Sequence, residues 1–155
     1  MSIATEALMK MALSLAGSQS SGDLPICAVI TNSSEEVLSQ SKNGVRAMGD
    51  ITAHAEILAL RELPPALSNR ERSDLIMVVT LEPCPMCAWA IRSAGIGTVV
   101  FGAYNRQYGA GGSVFDLLRD SRYGKRVQVF GGVLESECSS LLGGAFLEIR
   151  NNRNW

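Results

Sequence analysis

Short apolar segments alternate along this chain with segments of helical spacing, and their order limits the possible folds more than the composition does. A helix and two strands come first, and helices and strands then alternate up to a last helix. Strands that alternate with helices need crossover connections, which predicts an α/β fold whose sheet is parallel after its first hairpin. The predicted segments are a helix at 3–16, strands at 24–32 and 36–43, a helix at 53–62, a strand at 74–81, a helix from Pro85 to about Ala94, a strand at 98–103, a glycine-rich loop at 104–112, a short helix at 113–120, a strand at 126–130 and a helix from about Glu135.

The first predicted helix lies where a secretory signal would lie in an exported protein. Glu6 and Lys10 interrupt its apolar stretch, so an amphipathic helix is the better interpretation, and we expect a cytoplasmic protein. Four cysteines in such a chain argue against a disulfide framework. At helical spacing the expected buried stripe consists of Ile3, Ala7, Leu8, Met11 and Leu15.

Length and composition exclude several classes of protein. The 155 residues suit one domain, 1–155, and 46% apolar with 19% charged residues excludes a disordered, collagen-like or coiled-coil chain. No apolar run approaches the roughly 20 residues that a membrane-spanning helix needs. The net charge of −1 gives no general attraction to nucleic acid, so we expect no DNA partner, although a local basic patch is allowed.

One histidine and one pair of cysteines stand where helices are predicted to begin. His54 is the only histidine, and Cys84 and Cys87 form a C-x-x-C. Three such ligands leave a fourth tetrahedral position for water, which is typical of a catalytic zinc site. The C-x-x-C alone also suits a thioredoxin-like redox pair, and a structural zinc would take Cys27 or Cys138 as a fourth ligand. A redox pair leaves His54, Ala55 and Glu56 without a role, and Cys27 and Cys138 are more typical of small hydrophobic residues than of ligands, so we favour the catalytic zinc.

Glu56 lies two residues after His54, in the first turn of a predicted helix. A glutamate there can simply complement the helix dipole. Beside a metal site, a carboxylate can instead take a proton from water and pass it to a leaving group. We therefore predict that Glu56 is the catalytic acid and base.

These residues resemble the signature of the zinc-dependent cytidine and deoxycytidylate deaminase superfamily, H-x-E followed by P-C-x-x-C. The resemblance is strongest to the bacterial tRNA-specific adenosine deaminases. It implies a three-layer α/β/α cytidine-deaminase-like fold, with a mixed five-stranded sheet, helices on both faces, and a homodimer. The segments that carry it are LPICAV, DITAHAEILALRE, VVTLEPCPMCAWAI, VVFGAYNRQYGAGGSVFDLLRD and GGVLESECSSLL.

The resemblance also implies roles for individual residues. His54, Cys84 and Cys87 match the ligands of one Zn²⁺ per chain, and Glu56 matches the proton shuttle. Asn43 matches an asparagine that hydrogen-bonds the purine ring, and Ala55 matches a backbone donor to the base. The residues proposed as RNA contacts are Asn105, Arg106, Arg150 and Arg153.

Three functional hypotheses follow from this resemblance. The leading one is hydrolytic deamination of adenosine to inosine at the first anticodon position of tRNA, where the anticodon loop offers unstacked bases. The alternative is deamination of a free nucleobase or nucleoside such as guanine or cytosine. A non-catalytic RNA-binding subunit is the third, but such a subunit is expected to lack Glu56, which is present. For the homodimer, the candidate interface is the helix face at 86–93 that carries Trp89.

Overall fold

The computed structural model describes residues 3–151, which form one mixed five-stranded sheet between two layers of helices. The strand order is β2-β1-β3-β4-β5. Strand β1 is antiparallel to both β2 and β3, whereas β3, β4 and β5 are parallel to one another, as the crossover argument predicts. The strands are β1 (Cys27–Thr31), β2 (Val37–Lys42), β3 (Ile76–Leu81), β4 (Thr98–Ala103) and β5 (Gln128–Phe130).

Helices cover both faces of this sheet, which confirms the predicted three-layer α/β/α architecture. Helices α1 and α6 pack on one face, and α3 and α5 pack on the other. Two four- to five-residue helices, α2 and α4, lie in stretches that the sequence pattern left as loops. The helices are α1 (Ile3–Gly17), α2 (Val45–Met48), α3 (Ala55–Arg61), α4 (Asn69–Ser73), α5 (Pro85–Ala94) and α6 (Glu135–Asn151), with a 3₁₀ turn at Ser121–Tyr123.

Strand β1 is buried at every position because it lies inside the sheet with helices above and below it. Successive side chains of a strand point to opposite faces. Ala28 and Ile30 accordingly pack with α3 and α5, while Cys27 and Val29 pack with α1. A strand covered on both faces is apolar throughout, which explains why the sequence around β1 has no polar alternation.

Helix α1 exists as predicted, and Leu8, Met11 and Leu15 of the predicted stripe pack partly against the core, but the most deeply buried face lies beside that stripe. Met9, Ala12 and Ala16 are fully buried against the sheet, whereas Ala7 is exposed and Met11 is only partly buried. Apolar residues of this segment lie outside the predicted stripe as well as in it, so their spacing indicates a helix without fixing which side faces inward. The side chain of Ile3, at the edge of the expected stripe, lies outside the described residues.

The predicted helix at 113–120 is wrong, because its backbone N–H groups bond in other directions. Gly111 and Asp116 pair as an isolated antiparallel bridge, and the N–H of Gly112 donates to the carbonyl of Phe115 at 2.8 Å. These bonds form a compact turn in place of the i to i−4 ladder of a helix.

The described helices, α1 to α6, include none that is long and apolar enough to cross a membrane.

Candidate metal centre and pocket

Two helix N-termini meet beyond the carboxyl end of β3, and they bring the predicted metal ligands together. His54 is the N-cap residue of α3, and Cys84 is the N-cap residue of α5, where Pro85 occupies the first helical position. Neither His54 nor Cys84 uses its side chain to cap its own helix. Both side chains are therefore available to each other and to Cys87, one turn into α5.

The three side chains are spaced as tetrahedral zinc ligands. The Nδ1 atom of His54 lies 3.6 Å from Sγ of Cys84 and 3.5 Å from Sγ of Cys87. Zn–S and Zn–N bonds of about 2.3 and 2.05 Å at a tetrahedral angle give a donor separation of about 3.6 Å. Their chemistry and spacing therefore fit a zinc ion.

Neither alternative for the cysteines is favoured by this geometry. Within residues 3–151 the group that could hold a metal contains His54, Cys84 and Cys87 and does not extend to Cys27 or Cys138. Those two thiols are buried in the apolar core, as small hydrophobic residues are. Cys84 and Cys87 are free, and both thiols contact Nδ1 of His54, a contact for which a redox pair has no use.

The two site thiols differ in acidity because they share a hydrogen bond. That bond from the Cys87 thiol lowers the pKa of Cys84 to about 4, against the effect of burial. The same bond, together with burial, raises the pKa of Cys87. A hydrogen bond with Cys84 raises the pKa of His54. Cys84 is therefore the first thiolate, and a bound cation would favour a second thiolate at Cys87.

Glu56 lies in the first turn of α3 and is only 5% exposed. Burial raises the pKa of its carboxyl group to about 7. Glu56 is not a member of the metal-binding group, although its carboxyl contacts the Cys87 thiol by a hydrogen bond. A carboxyl group with a pKa near neutrality can both accept and donate a proton, which a general acid and base must do.

A pocket of about 360 Å³ opens beside His54, Cys84 and Glu56. Asn43 and Ala55, the predicted substrate contacts, both line it, as does the predicted RNA contact Asn105. Asn43 is buried, and no other group in the described part of the chain hydrogen-bonds its side-chain amide. A pocket with few polar groups and perturbed carboxyl and thiol pKa values is typical of an active site.

The structure describes the positions of the other three predicted RNA contacts only in part. Arg106 is exposed, and it does not line the pocket. Arg150 belongs to α6, but its side chain lies outside the described residues, and so does the whole of Arg153. Their roles stay predictions.

Sequence reasoning missed two buried carboxylates in the pocket wall. Asp23 accepts hydrogen bonds from the backbone N–H groups of Arg46 (2.6 Å) and Ala47 (3.0 Å), and it thereby holds α2 against the pocket. Glu82 is 1% exposed and binds the loop that follows β4. The sequence signal that could have indicated a role for Glu82 was its position at the end of an apolar strand, directly before Pro83 and Cys84.

Comparison with known proteins identifies the class of protein to which this fold and site belong. Residues 2–103 match the cytidine and deoxycytidylate deaminase zinc-binding region. The chain therefore belongs to the cytidine and deoxycytidylate deaminase family, which confirms the predicted family.

Within this family the chain is similar to tRNA-specific adenosine deaminases. It is 36% identical over 132 residues to the tRNA-specific adenosine deaminase of Bacillus subtilis (strain 168), a match that covers 85% of this chain and 81% of the relative. A solved structure from a study of A-to-I editing by tRNA:A34 deaminases at the wobble position of transfer RNA is 33% identical. It gives a TM-score of 0.76 and covers 88% of this chain and 99% of that one. The predicted fold is thereby confirmed.

A third relative is much longer than this chain. The chain is 45% identical over 128 residues to the tRNA(Ile)-lysidine synthase of Deinococcus radiodurans. That match covers 83% of this chain but only 22% of the relative, so the chain spans about a fifth of that protein.

Proposed function

We propose that this chain hydrolyses adenosine to inosine at the first anticodon position of tRNA, with one Zn²⁺ held by His54, Cys84 and Cys87. The observation that carries the proposal is the set of three donor atoms at tetrahedral spacing beside the buried carboxyl group of Glu56. The substrate is inferred from the similarity, over most of the chain, to tRNA-specific adenosine deaminases.

The reaction replaces the exocyclic amine of adenine by oxygen. Water adds to the ring carbon that bears the amine, the C–N bond then breaks, and inosine and ammonia leave. When bound, zinc supplies a Lewis acid that makes water acidic at neutral pH. Glu56 takes one proton from water and gives it to the ring nitrogen. It then takes the second proton from the hydroxyl group now on the ring carbon and gives it to the amine, which leaves as ammonia when the C–N bond breaks. Burial raises the pKa of this carboxyl group and so favours the protonated form that must donate, whereas a cation bound beside it would favour the form that accepts.

The pocket holds the ring at this carboxyl group. The Asn43 amide has no hydrogen-bond partner among the described residues, so it can both donate to and accept from the ring edge, and Ala55 lines the same pocket. An adenosine must leave its base stack to enter such a pocket. The anticodon loop makes that step easier, because its bases are already unstacked.

RNA binding is assigned to side chains around and beyond the pocket. The Oδ1 atom of Asn105 accepts the backbone N–H groups of Gln107 (3.3 Å) and Tyr108 (3.0 Å), which leaves its NH₂ group for RNA. Arg106 follows it on the surface, and Arg150 and Arg153 complete the proposed set. We expect tRNA affinity to fall steeply with salt, and each of Arg150→Ala and Arg153→Ala to make the slope of log affinity against log salt shallower by about 0.7–0.9.

Two other arginines of the 106–126 segment are weaker candidates because acidic neighbours balance them. Arg119 forms an ion pair with Asp116 at 3.0 Å, and Arg122 forms one with Asp120 at 2.6 Å.

We also propose a homodimer that acts in the cytoplasm, where a tRNA substrate is found. Trp89 on α5 is 49% exposed and packs edge-on against Tyr123, with ring centroids 5.2 Å apart. Exposed aromatic side chains that are already held in place are typical of protein interfaces. Light scattering at micromolar concentration tests the assembly, and a species of only the 16.6 kDa chain mass contradicts it.

The substrate is tested by measuring deamination of two kinds of substrate under the same conditions. The first is a synthetic anticodon stem-loop with adenosine at the first anticodon position. The second is a set of free compounds: adenosine, guanine and cytosine. We expect the stem-loop to be deaminated at a much higher kcat/KM than any free ring. Rapid turnover of a free ring, with none of the stem-loop, would instead support the alternative of a nucleobase or nucleoside deaminase.

A further inference from the structure

Glu82 is a buried carboxylate that the mechanism does not use. It follows β3 directly, is 1% exposed and lines the pocket, yet it is not part of the metal-binding group. In the described part of the chain, no Lys or Arg forms an ion pair with it. A carboxylate that is removed from water without a cation needs several hydrogen-bond donors.

Those donors come from one loop, residues 104–113. Oε1 of Glu82 accepts the backbone N–H groups of Gly111 (3.0 Å) and Ser113 (3.1 Å). Oε2 accepts the backbone N–H of Asn105 (3.0 Å) and the hydroxyl of Ser113 (2.5 Å). Four donors from both ends of the loop therefore bind a single side chain.

The loop is wrapped so closely around Glu82 that Gly109 has no room for a side chain and Gly111 has little. A Cβ atom at Gly109 would collide with Oε2 of Glu82 and with the hydroxyl of Ser113. A Cβ atom at Gly111 would lie 3.4 Å from Cγ of Glu82 and 3.0 Å from the ring of Phe101. The course of the loop is thus fixed by this carboxylate as well as by the loop's own sequence.

The same loop supplies one wall of the pocket. Asn105, Gln107 and Tyr108 all line it, and Tyr108 keeps 57% of its surface exposed at that wall. We propose that Glu82 is a positioning residue that holds this wall at the distance the substrate requires, and so sets substrate affinity. This inference rests on the proposed function, because it deepens the account of how that pocket binds its substrate.

Substrate affinity and proton transfer should respond differently to a change at Glu82. The metal ligands and Glu56 belong to the first turns of α3 and α5, whereas the Glu82 carboxylate holds the loop after β4. A Glu82→Gln variant keeps the shape of the side chain but replaces one acceptor oxygen by a donor. At the Oε2 position that donor would face the N–H of Asn105. The wall should therefore shift while the proton-transfer groups stay in place.

The test compares E82Q with S113A and with a control variant, E71Q. Glu71 accepts hydrogen bonds from the backbone N–H and hydroxyl of Ser68 on the exposed helix α4, so E71Q makes the same chemical change away from the pocket. We measure KM and kcat on the anticodon stem-loop, zinc content, and amide hydrogen exchange at residues 105–113.

We expect E82Q to raise KM about tenfold and S113A about threefold, with kcat within about twofold of wild type. Zinc content should not change, amide exchange at 105–113 should accelerate in E82Q, and E71Q should behave as wild type. A hundredfold fall in kcat at unchanged KM, loss of zinc, or an E82Q variant with the KM of E71Q would overturn the inference. If E82Q does not fold, S113A becomes the test of the inference, because an unchanged KM in S113A would also overturn the inference.

The wild-type protein separates this inference from the proposed function. A wild type that deaminates only a free ring contradicts the proposed substrate alone. The variants are then compared on that free ring, because Asn105, Gln107 and Tyr108 line the pocket for any ring that enters it.

Discussion

Replacing Glu56 by glutamine separates proton transfer from metal binding. Glutamine has nearly the same size and shape as glutamate, and the residue is 5% exposed, so the packing around it should be kept. The metal-binding group consists of His54, Cys84 and Cys87, none of which is altered. We therefore expect Glu56→Gln to fold and to retain zinc but to lose turnover.

The size of the loss follows from the other acids and bases near the pocket. General acid–base catalysis by one residue is worth about 10²- to 10⁴-fold. Asp23 and Glu82 also line the pocket, but both already accept backbone N–H groups. His54 is held between the two thiols. Since no described group can replace Glu56, we expect kcat to fall about 10³- to 10⁴-fold, equal to about 4–5.5 kcal/mol of barrier.

Three measurements on the purified variant decide this prediction. Metal analysis gives the zinc content, thermal unfolding gives the stability, and single-turnover deamination of the stem-loop gives the rate of the chemical step. A rate within tenfold of wild type would refute the assigned role. Loss of zinc from the variant would show instead that Glu56 is a ligand.

Three further changes test the site and its support. Cys87→Ala should lose both zinc and activity, which metal analysis and a deamination assay measure. Full activity of the wild-type protein after complete removal of zinc would contradict the mechanism. Gly131→Ala should cost about 1–3 kcal/mol in denaturant unfolding, because its Cβ would collide with the buried ring of Phe101. In the control Gly143→Ala the Cβ meets nothing within 4 Å, and the change should stabilise α6 by up to about 1 kcal/mol, because alanine forms helices better than glycine. Arg92→Met should lower the free energy of unfolding by about 2–3 kcal/mol, because the guanidinium donates to four carbonyl oxygens of the 117–125 segment at 2.7–3.2 Å. An unchanged midpoint of urea unfolding would contradict this expectation.

The metal centre was predictable from the sequence because its chemistry depends on residue type. Few side chains bind zinc, and His54, Cys84 and Cys87 each precede or begin a recognisable helix. The order of strands and helices likewise predicts which faces of the sheet are covered. Helices and strands, and their order along the chain, can therefore be predicted from the sequence wherever the spacing of apolar residues is regular.

The turn at 113–120 was not predictable for the opposite reason. Val114, Leu117 and Leu118 have the spacing of a helical face, yet backbone bonds and the carboxylate of Glu82 fold this stretch into a turn. The partners of Glu82 are mostly backbone N–H groups, which every residue except proline can offer. No pattern of side chains marks such a contact. The inward side of α1 was also hidden, because apolar residues lie on several sides of that helix.

The position of inosine in full-length tRNA tests the central claim most directly. A tRNA with adenosine at its first anticodon position is incubated with zinc-loaded protein, sequenced for inosine, and assayed for ammonia. We predict inosine at that position alone, with one ammonia released for each inosine formed. An unchanged anticodon, together with ammonia release from free guanine, cytosine or adenosine, would contradict the account.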